Sequence, residues 1–149
     1  MEKLILQAFF CFIASTFFSI LNNIEKKYCL LCGTLGMTTW LTYTILPSIL
    51  TIDLPTSALI ASAILSFITN LIAKYIIIPE SILNISGIIT IVPGGFFYKC
   101  INFLAEKNFN GAFNSGSKAL LIGLSISIGI MINGILHLIF KDSFFNPNH

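Results

Sequence analysis

Apolar residues fall in long runs separated by short polar punctuation. Five runs stand out: Leu4 to Leu21, Tyr28 to Leu50, Leu54 to Ile78, Ser81 to Ala105 and Ser115 to Phe140. A helix needs about 20 mostly apolar residues to cross the hydrocarbon of a bilayer, so each run is a candidate crossing. Thr34, Thr38, Thr39 and Thr42 dilute the second run and Pro47 interrupts its end. The pattern therefore predicts an all-α integral membrane protein with four to five transmembrane helices, in one domain over 1–149. Its fourth helix is expected to break at Pro93-Gly94-Gly95.

The punctuation has its own logic. Asn22 to Lys27 reads as a hinge, and Asp53 with Pro55 is placed to start the third helix. Pro79-Glu80-Ser81 ends that helix. Lys107 to Gly116 reads as the longest polar loop, and Lys141 to His149 as a frayed tail. Leu4 to Leu21 is followed by no small-x-small cleavage site, which favours a retained helix over a signal peptide.

Within the runs, small and polar residues recur every four positions. The rows are Ser15, Ser19, Asn23; Thr34, Thr38, Thr42; Ala58, Ser62, Ser66, Asn70, Lys74; and Ser125, Gly129, Asn133, His137. Four residues turn a helix by about 400°, so such a row spirals as an i±4 ridge. Small residues there let helices approach closely. Most of these positions are expected to pack helices. Asn70 and Asn133 carry large amides, for which an interhelical clasp and a substrate contact weigh about equally. Lys74 reads as a snorkelling lysine and His137 as an interfacial histidine.

Composition agrees with the pattern. The chain has 149 residues, 56% hydrophobic and 9% charged. A soluble domain carries about 25% charged residues. The net charge of +2 gives no reason to expect nucleic acid as a partner. All eight basic residues are lysines spread over both sides of any five-helix topology, so they set no orientation. Cys29 and Cys32 form a C-x-x-C at the head of an apolar run with no second ligand pair nearby. Two small apolar residues one turn apart is the better reading. Histidines and acids form no catalytic constellation, so the expectation is no enzyme, no metal and no cofactor.

The break carries the candidate chemistry. Proline pushes the residue before it, Val92, out of the helix and suits the first turn of a new one. The second half-helix would begin with free N–H groups on Gly94, Gly95 and Phe96, an electropositive end able to hold a carboxylate. Thr90 and Tyr98 offer hydroxyls to the same space. The candidate substrate-binding residues are thus Thr90, Pro93, Gly94, Gly95 and Tyr98, with Asn70 and Asn133. A carboxylate fits the N–H groups, and an ammonium or a coupling cation fits the upstream carbonyls. A kinked structural helix sealed by its neighbours is the alternative.

The stretch from Ile88 to Tyr98, I-I-T-I-V-P-G-G-F-F-Y, resembles the I-P-L-V-P-G-x-x-x-Y signature of the threonine/serine exporter family. More narrowly, it resembles the small subunit of the family's split, two-component form. Supporting stretches are Leu21 to Lys27, Cys32-Gly33-Thr34-Leu35-Gly36, Ile72-Ala73-Lys74 and Ala119 to Gly129, so the likeness runs from about Leu4 to Phe140. The chain departs from the family where Thr90 replaces a frequent proline, where Ile85-Ser86-Gly87 keeps only the glycine of a second Pro-Gly, and where Asn70 replaces a charged residue.

The resemblance implies a multi-pass protein of the bacterial inner membrane. It implies a larger partner subunit, with self-association also open, and export of threonine, serine or a dicarboxylate driven by the proton motive force. A membrane scaffold that stabilises a partner without transporting is the alternative function.

Overall fold

The computed structural model describes residues 2–76 and 78–145, with side chains as far as Ile135. Among these residues there are six helices and no strand: α1 (Glu2–Leu21), α2 (Lys26–Leu50), α3 (Leu54–Ala73), α4 (Glu80–Ile88), α5 (Gly94–Ala105) and α6 (Phe109–Phe145). Helices α1, α2, α3 and α6 are each long and apolar enough to cross a membrane. Helices α4 and α5 are too short alone. Joined across the interruption, they form the broken fourth segment.

Contacts fix the directions. Thr69 meets Asn84, and a Cβ at Gly87 would meet Leu65, so α4 runs antiparallel to α3. Cys100 lies beside Gly116 and Phe103 beside Gly111, so α5 runs antiparallel to α6. Ser62 lies at Gly129 and Ser66 at Asn133, so α3 and α6 run parallel. Helices α1, α3 and α6 thus point one way, and α2 and the α4–α5 pair the other.

Small residues set the spacing, as the four-residue rows predict for α3. Ala58, Ser62 and Ser66 are fully buried against α6. A Cβ on Gly129 would meet Ser62 Oγ, and would lie 2.6 Å from the Leu59 carbonyl oxygen. On α1, Ser15 and Ser19 are fully buried, whereas Asn23 is exposed. The Ser15 hydroxyl lies 2.7 Å from Cys32 O and 2.6 Å from Ser86 O, joining α1 to α2 and α4.

The α2 row is a correction. Thr34 and Thr38 are exposed and return their hydroxyls to Leu31 O and Leu35 O of their own helix. The buried face of α2 runs instead through Cys29, Cys32, Gly33, Gly36 and Thr39. A Cβ at Gly33 would lie 2.8 Å from the Phe12 ring, so close backbone approach chose the face, and hydroxyls alone did not. Cys29 and Cys32 are free thiols packed with Leu35, Leu65 and Leu83.

Three boundaries also differ. Helix α3 stops at Ala73, and the chain turns at Lys74 and Tyr75. The stretch Phe109 to Gly116, read as loop, is helical. Lys107 takes a left-handed conformation (φ 58°) while Asn108 N–H bonds Phe103 O and Lys107 N–H bonds Leu104 O, a Schellman closure of α5. Asn108 Oδ1 then accepts from Gly111 N–H at 3.1 Å and caps α6. Three residues, Glu106 to Asn108, therefore take the place of the expected ten-residue loop. Helix α6 continues through Lys141 to Phe145, where a frayed tail is expected; residues 146–149 and the side chain of His137 lie outside the described residues.

Outward faces are apolar. Leu6, Phe9, Phe10, Phe17, Phe67, Leu120 and Leu124 are all exposed, as suits a surface solvated by lipid.

Candidate functional site

The fourth segment unwinds from Ile89 to Pro93. Ile91 N–H bonds Ile88 O at 2.8 Å, an i−3 bond that tightens the end of α4 before the chain leaves it. The departure therefore begins before Val92, upstream of where the proline rule alone places it. Thr90 helps to hold it: its hydroxyl lies 3.1 Å from both Gly36 O on α2 and Gly87 O on α4. Pro93 follows with φ −76° and ψ 43°.

Three N–H groups are expected to be free here, and two are occupied. Gly94 N–H bonds Val92 O at 2.8 Å across Pro93, a tight three-residue turn. Phe96 N–H bonds Pro93 O at 3.1 Å. Gly95 N–H is the one of the three without a backbone or side-chain partner among the described residues.

Glycine serves two different purposes along the chain. At Gly36, Gly87 and Gly129 an added Cβ would strike a neighbouring helix. At Gly94 and Gly95 it would meet nothing within 4 Å. Packing does not require glycine at the break. Its effect there is to leave the main chain uncovered.

A cavity of about 250 Å³ opens at this point, walled by Tyr43, Thr90, Ile91, Val92, Pro93, Gly95, Phe96 and Lys99. That is near the small end of ligand pockets. Phe96 and Lys99 also wall a cleft of about 450 Å³ between α5 and α6 that includes Asn102, Glu106, Asn114 and Lys118. Phe96 and Lys118 wall a third space of about 350 Å³ with Asp53 at the start of α3. Phe96 is common to all three. The combination of an uncovered N–H and an ammonium group suits a carboxylate, and Asp53 across Phe96 suits an amine.

The sequence-derived residues separate into two places. Thr90, Pro93 and Gly95 wall the cavity at the break. Gly94 is open but off its wall, and Tyr98 is 66% exposed and walls none of the three spaces. Asn70 and Asn133 belong to a separate polar network at the far end of α4. There Asn70 Nδ2 donates to Glu80 Oε2 at 3.0 Å, and Asn133 Nδ2 donates to Ser66 Oγ at 3.1 Å. Ser66 Oγ and Asn84 Nδ2 each lie 3.4 Å from Glu80 Oε1, and Thr69 Oγ1 bonds Asn84 Oδ1.

Lys99, Glu80 and Asn84 are absent from the sequence-based candidates. Lys99 follows Gly95 by four residues, and Asn84 follows Glu80 by four, so each pair shares a helix face. That spacing was the available signal. Glu80 reads in sequence as the residue after a helix-ending proline, which hides its inward direction.

Residues 7–136 match the model of a protein family described as "Threonine/Serine exporter, ThrE". The match takes in nearly all of α1, the whole of α2 to α5 and most of α6. Curated proteins and solved structures gave no match.

Proposed function

We propose, for a chain that belongs to the threonine/serine exporter family, the role of small subunit in a two-component exporter of threonine, serine or a related small carboxylate. The chain is a multi-pass membrane protein of a transporter family. In the proposed role it resides in a bacterial inner membrane, works with a larger partner subunit and draws on the proton motive force. The break between α4 and α5 is part of the substrate path. Pro93 interrupts the helix, Gly94 and Gly95 leave its backbone bare, Gly95 N–H and Lys99 receive the substrate carboxylate, and Thr90 holds the upstream half-helix to α2.

The observation that carries this reading is Gly95. A bare N–H at a helix N-terminus borders a cavity that also contains Lys99, and no packing demand explains the glycine. Helix α5 has no buried residue and exposes Phe97, Tyr98, Ile101 and Leu104, a face open to lipid or to the proposed partner.

The test is efflux of labelled threonine from cells making this chain and the larger subunit, with Gly95→Leu compared to the parent. The added side chain has room, so membrane levels hold, while it covers the N–H and fills the cavity. Efflux should fall roughly tenfold or more, about 1.4 kcal/mol of lost stabilisation. Unchanged efflux at normal membrane level would favour a scaffold role and remove the break from the substrate path.

A further inference from the structure

Among the described side chains, Glu2, Glu25, Asp53 and Glu106 are exposed. Glu80 is the one acid that is drawn into the bundle. Its partners Asn70 and Ser66 lie three and seven residues inside the end of α3, so the carboxylate sits about 5 to 10 Å in from that end. Ser66 and Thr69 are fully buried, and Asn84 is 6% exposed.

The side-chain donors of this network converge on Glu80, while the Thr69 hydroxyl, beside Asn84 Oδ1, also lies 3.0 Å from Ser66 O. Asn133 donates to Ser66, Ser66 and Asn84 donate to Oε1, Asn70 donates to Oε2, and Thr69 fixes the Asn84 amide by bonding its oxygen. Three donors thus face the two oxygens of one carboxyl group, Asn70 at 3.0 Å and Ser66 and Asn84 at 3.4 Å. No described base pairs with it. The ion pair found among the described residues, Lys27 with Glu25, is an exposed one at another site. Other titratable groups around α4 are Tyr28, Cys29 and Cys32 on α2, in the cluster around Leu83. Lys74 is exposed just past the end of α3. On α6, His137 and Lys141 follow Asn133, their side chains outside the described residues.

A carboxylate drawn into an apolar bundle, with no cation beside it among the described side chains, can shed its charge by binding a proton. We propose that Glu80 is the proton-binding group of this exporter, and that Ser66 relays its state to α6. The proposal rests on the export reading above and gives its coupling ion a site.

The rearrangement is small. A proton from water adds to Oε1, and the new O–H must donate. Asn84 cannot turn to accept without losing Thr69, whereas Ser66 needs only a hydroxyl rotation. Its hydrogen then turns to a carbonyl of its own helix, a common serine habit. Ser66 Oγ now accepts from both Glu80 and Asn133, so one oxygen links the proton to α3, α4 and α6. Loss of the proton to water on the other side restores the first state. The nine residues of α4 set Glu80 about 12 Å from the unwound segment, so proton and substrate sites are separate but share one rigid element.

Two measurements test this. In membrane vesicles from cells with both subunits, threonine exchange without a pH gradient is compared with gradient-driven net transport. Glu80→Gln, which keeps the shape and cannot ionise, should leave exchange within about twofold and lower gradient-driven transport about tenfold or more. Gradient-driven transport that survives in Glu80→Gln overturns the proposal. So does loss of both activities at normal membrane level, which would make Glu80 a structural or substrate group. A parent protein that neither exchanges nor transports threonine would instead overturn the export reading. The second measurement needs no variant: the parent chain in vesicles is treated with dicyclohexylcarbodiimide, which adds to protonated carboxyls in apolar surroundings. The label, mapped by peptide mass, should sit on Glu80 and weaken as pH rises. An unlabelled Glu80, or labelling indifferent to pH, overturns the proposal.

Discussion

The Asn133 side-chain amide donates to Ser66 Oγ at 3.1 Å, across 67 residues of sequence, and ties α6 to α3 inside the polar network around Glu80. Two rows that look like packing ridges in sequence thus meet at a point where amide, hydroxyl and carboxylate are all satisfied. Among the described residues, no buried side-chain nitrogen or oxygen lacks a partner. In lipid this matters, because water is not there to fill a gap.

Asn133→Leu removes one interhelical hydrogen bond and leaves Ser66 still bonded to Glu80. Such bonds in membranes average about 0.6 kcal/mol, so the loss of stability should stay near 1 kcal/mol or less. Denaturation of the detergent-solubilised chain would measure it. A collapse of several kcal/mol would show that the amide does more than clasp.

Gly129→Val should cost more than Asn133→Leu, although glycine makes no hydrogen bond with its side chain. The added atoms meet Ser62 Oγ and the Leu59 carbonyl, and backbone yields poorly. Overpacking of this kind costs about 1 to 3 kcal/mol. The same denaturation experiment ranks the two, and the reverse order would contradict the α3–α6 packing described here.

Ser15→Ala leaves the carbonyls of Cys32 and Ser86 without the hydroxyl that faces them both. Loss of a buried hydrogen-bond partner costs about 1 to 3 kcal/mol. Reduced stability, without a change in substrate preference, is expected from thermal inactivation of efflux in cells. Ser15→Cys should restore part of it.

Lys99→Gln should lower the preference for a carboxylate. Competition of threonine efflux by threonine and by its alcohol analogue, which lacks the carboxylate, separates the two effects. The variant should lose affinity for threonine by roughly tenfold and little for the alcohol. Equal losses for both would remove Lys99 from the site.

Some of this is legible without coordinates. The run lengths give four to five candidate membrane segments, and Pro93 marks the broken one, because hydrophobic length and the missing proline N–H are local properties. The small residues of α3 also announce themselves, since a helix has a fixed period. The loop from Lys107 to Gly116 misleads, because asparagine and glycine suit both turns and caps, and only the geometry of Lys107 and Asn108 decides between them.

The sequence by itself determined a membrane-embedded helical chain with an interruption at Pro93 and amides at Asn70 and Asn133. Tertiary structure decided where those groups point. It turned Glu80 inward onto Asn70 and Ser66, set Tyr43 and Thr90 against the face that carries Gly95 and Lys99, and moved the close contact of α2 to Gly33 and Gly36. The reason is that periodicity fixes which residues share a helix face, but only the neighbouring helices determine which face is covered and which polar groups meet there.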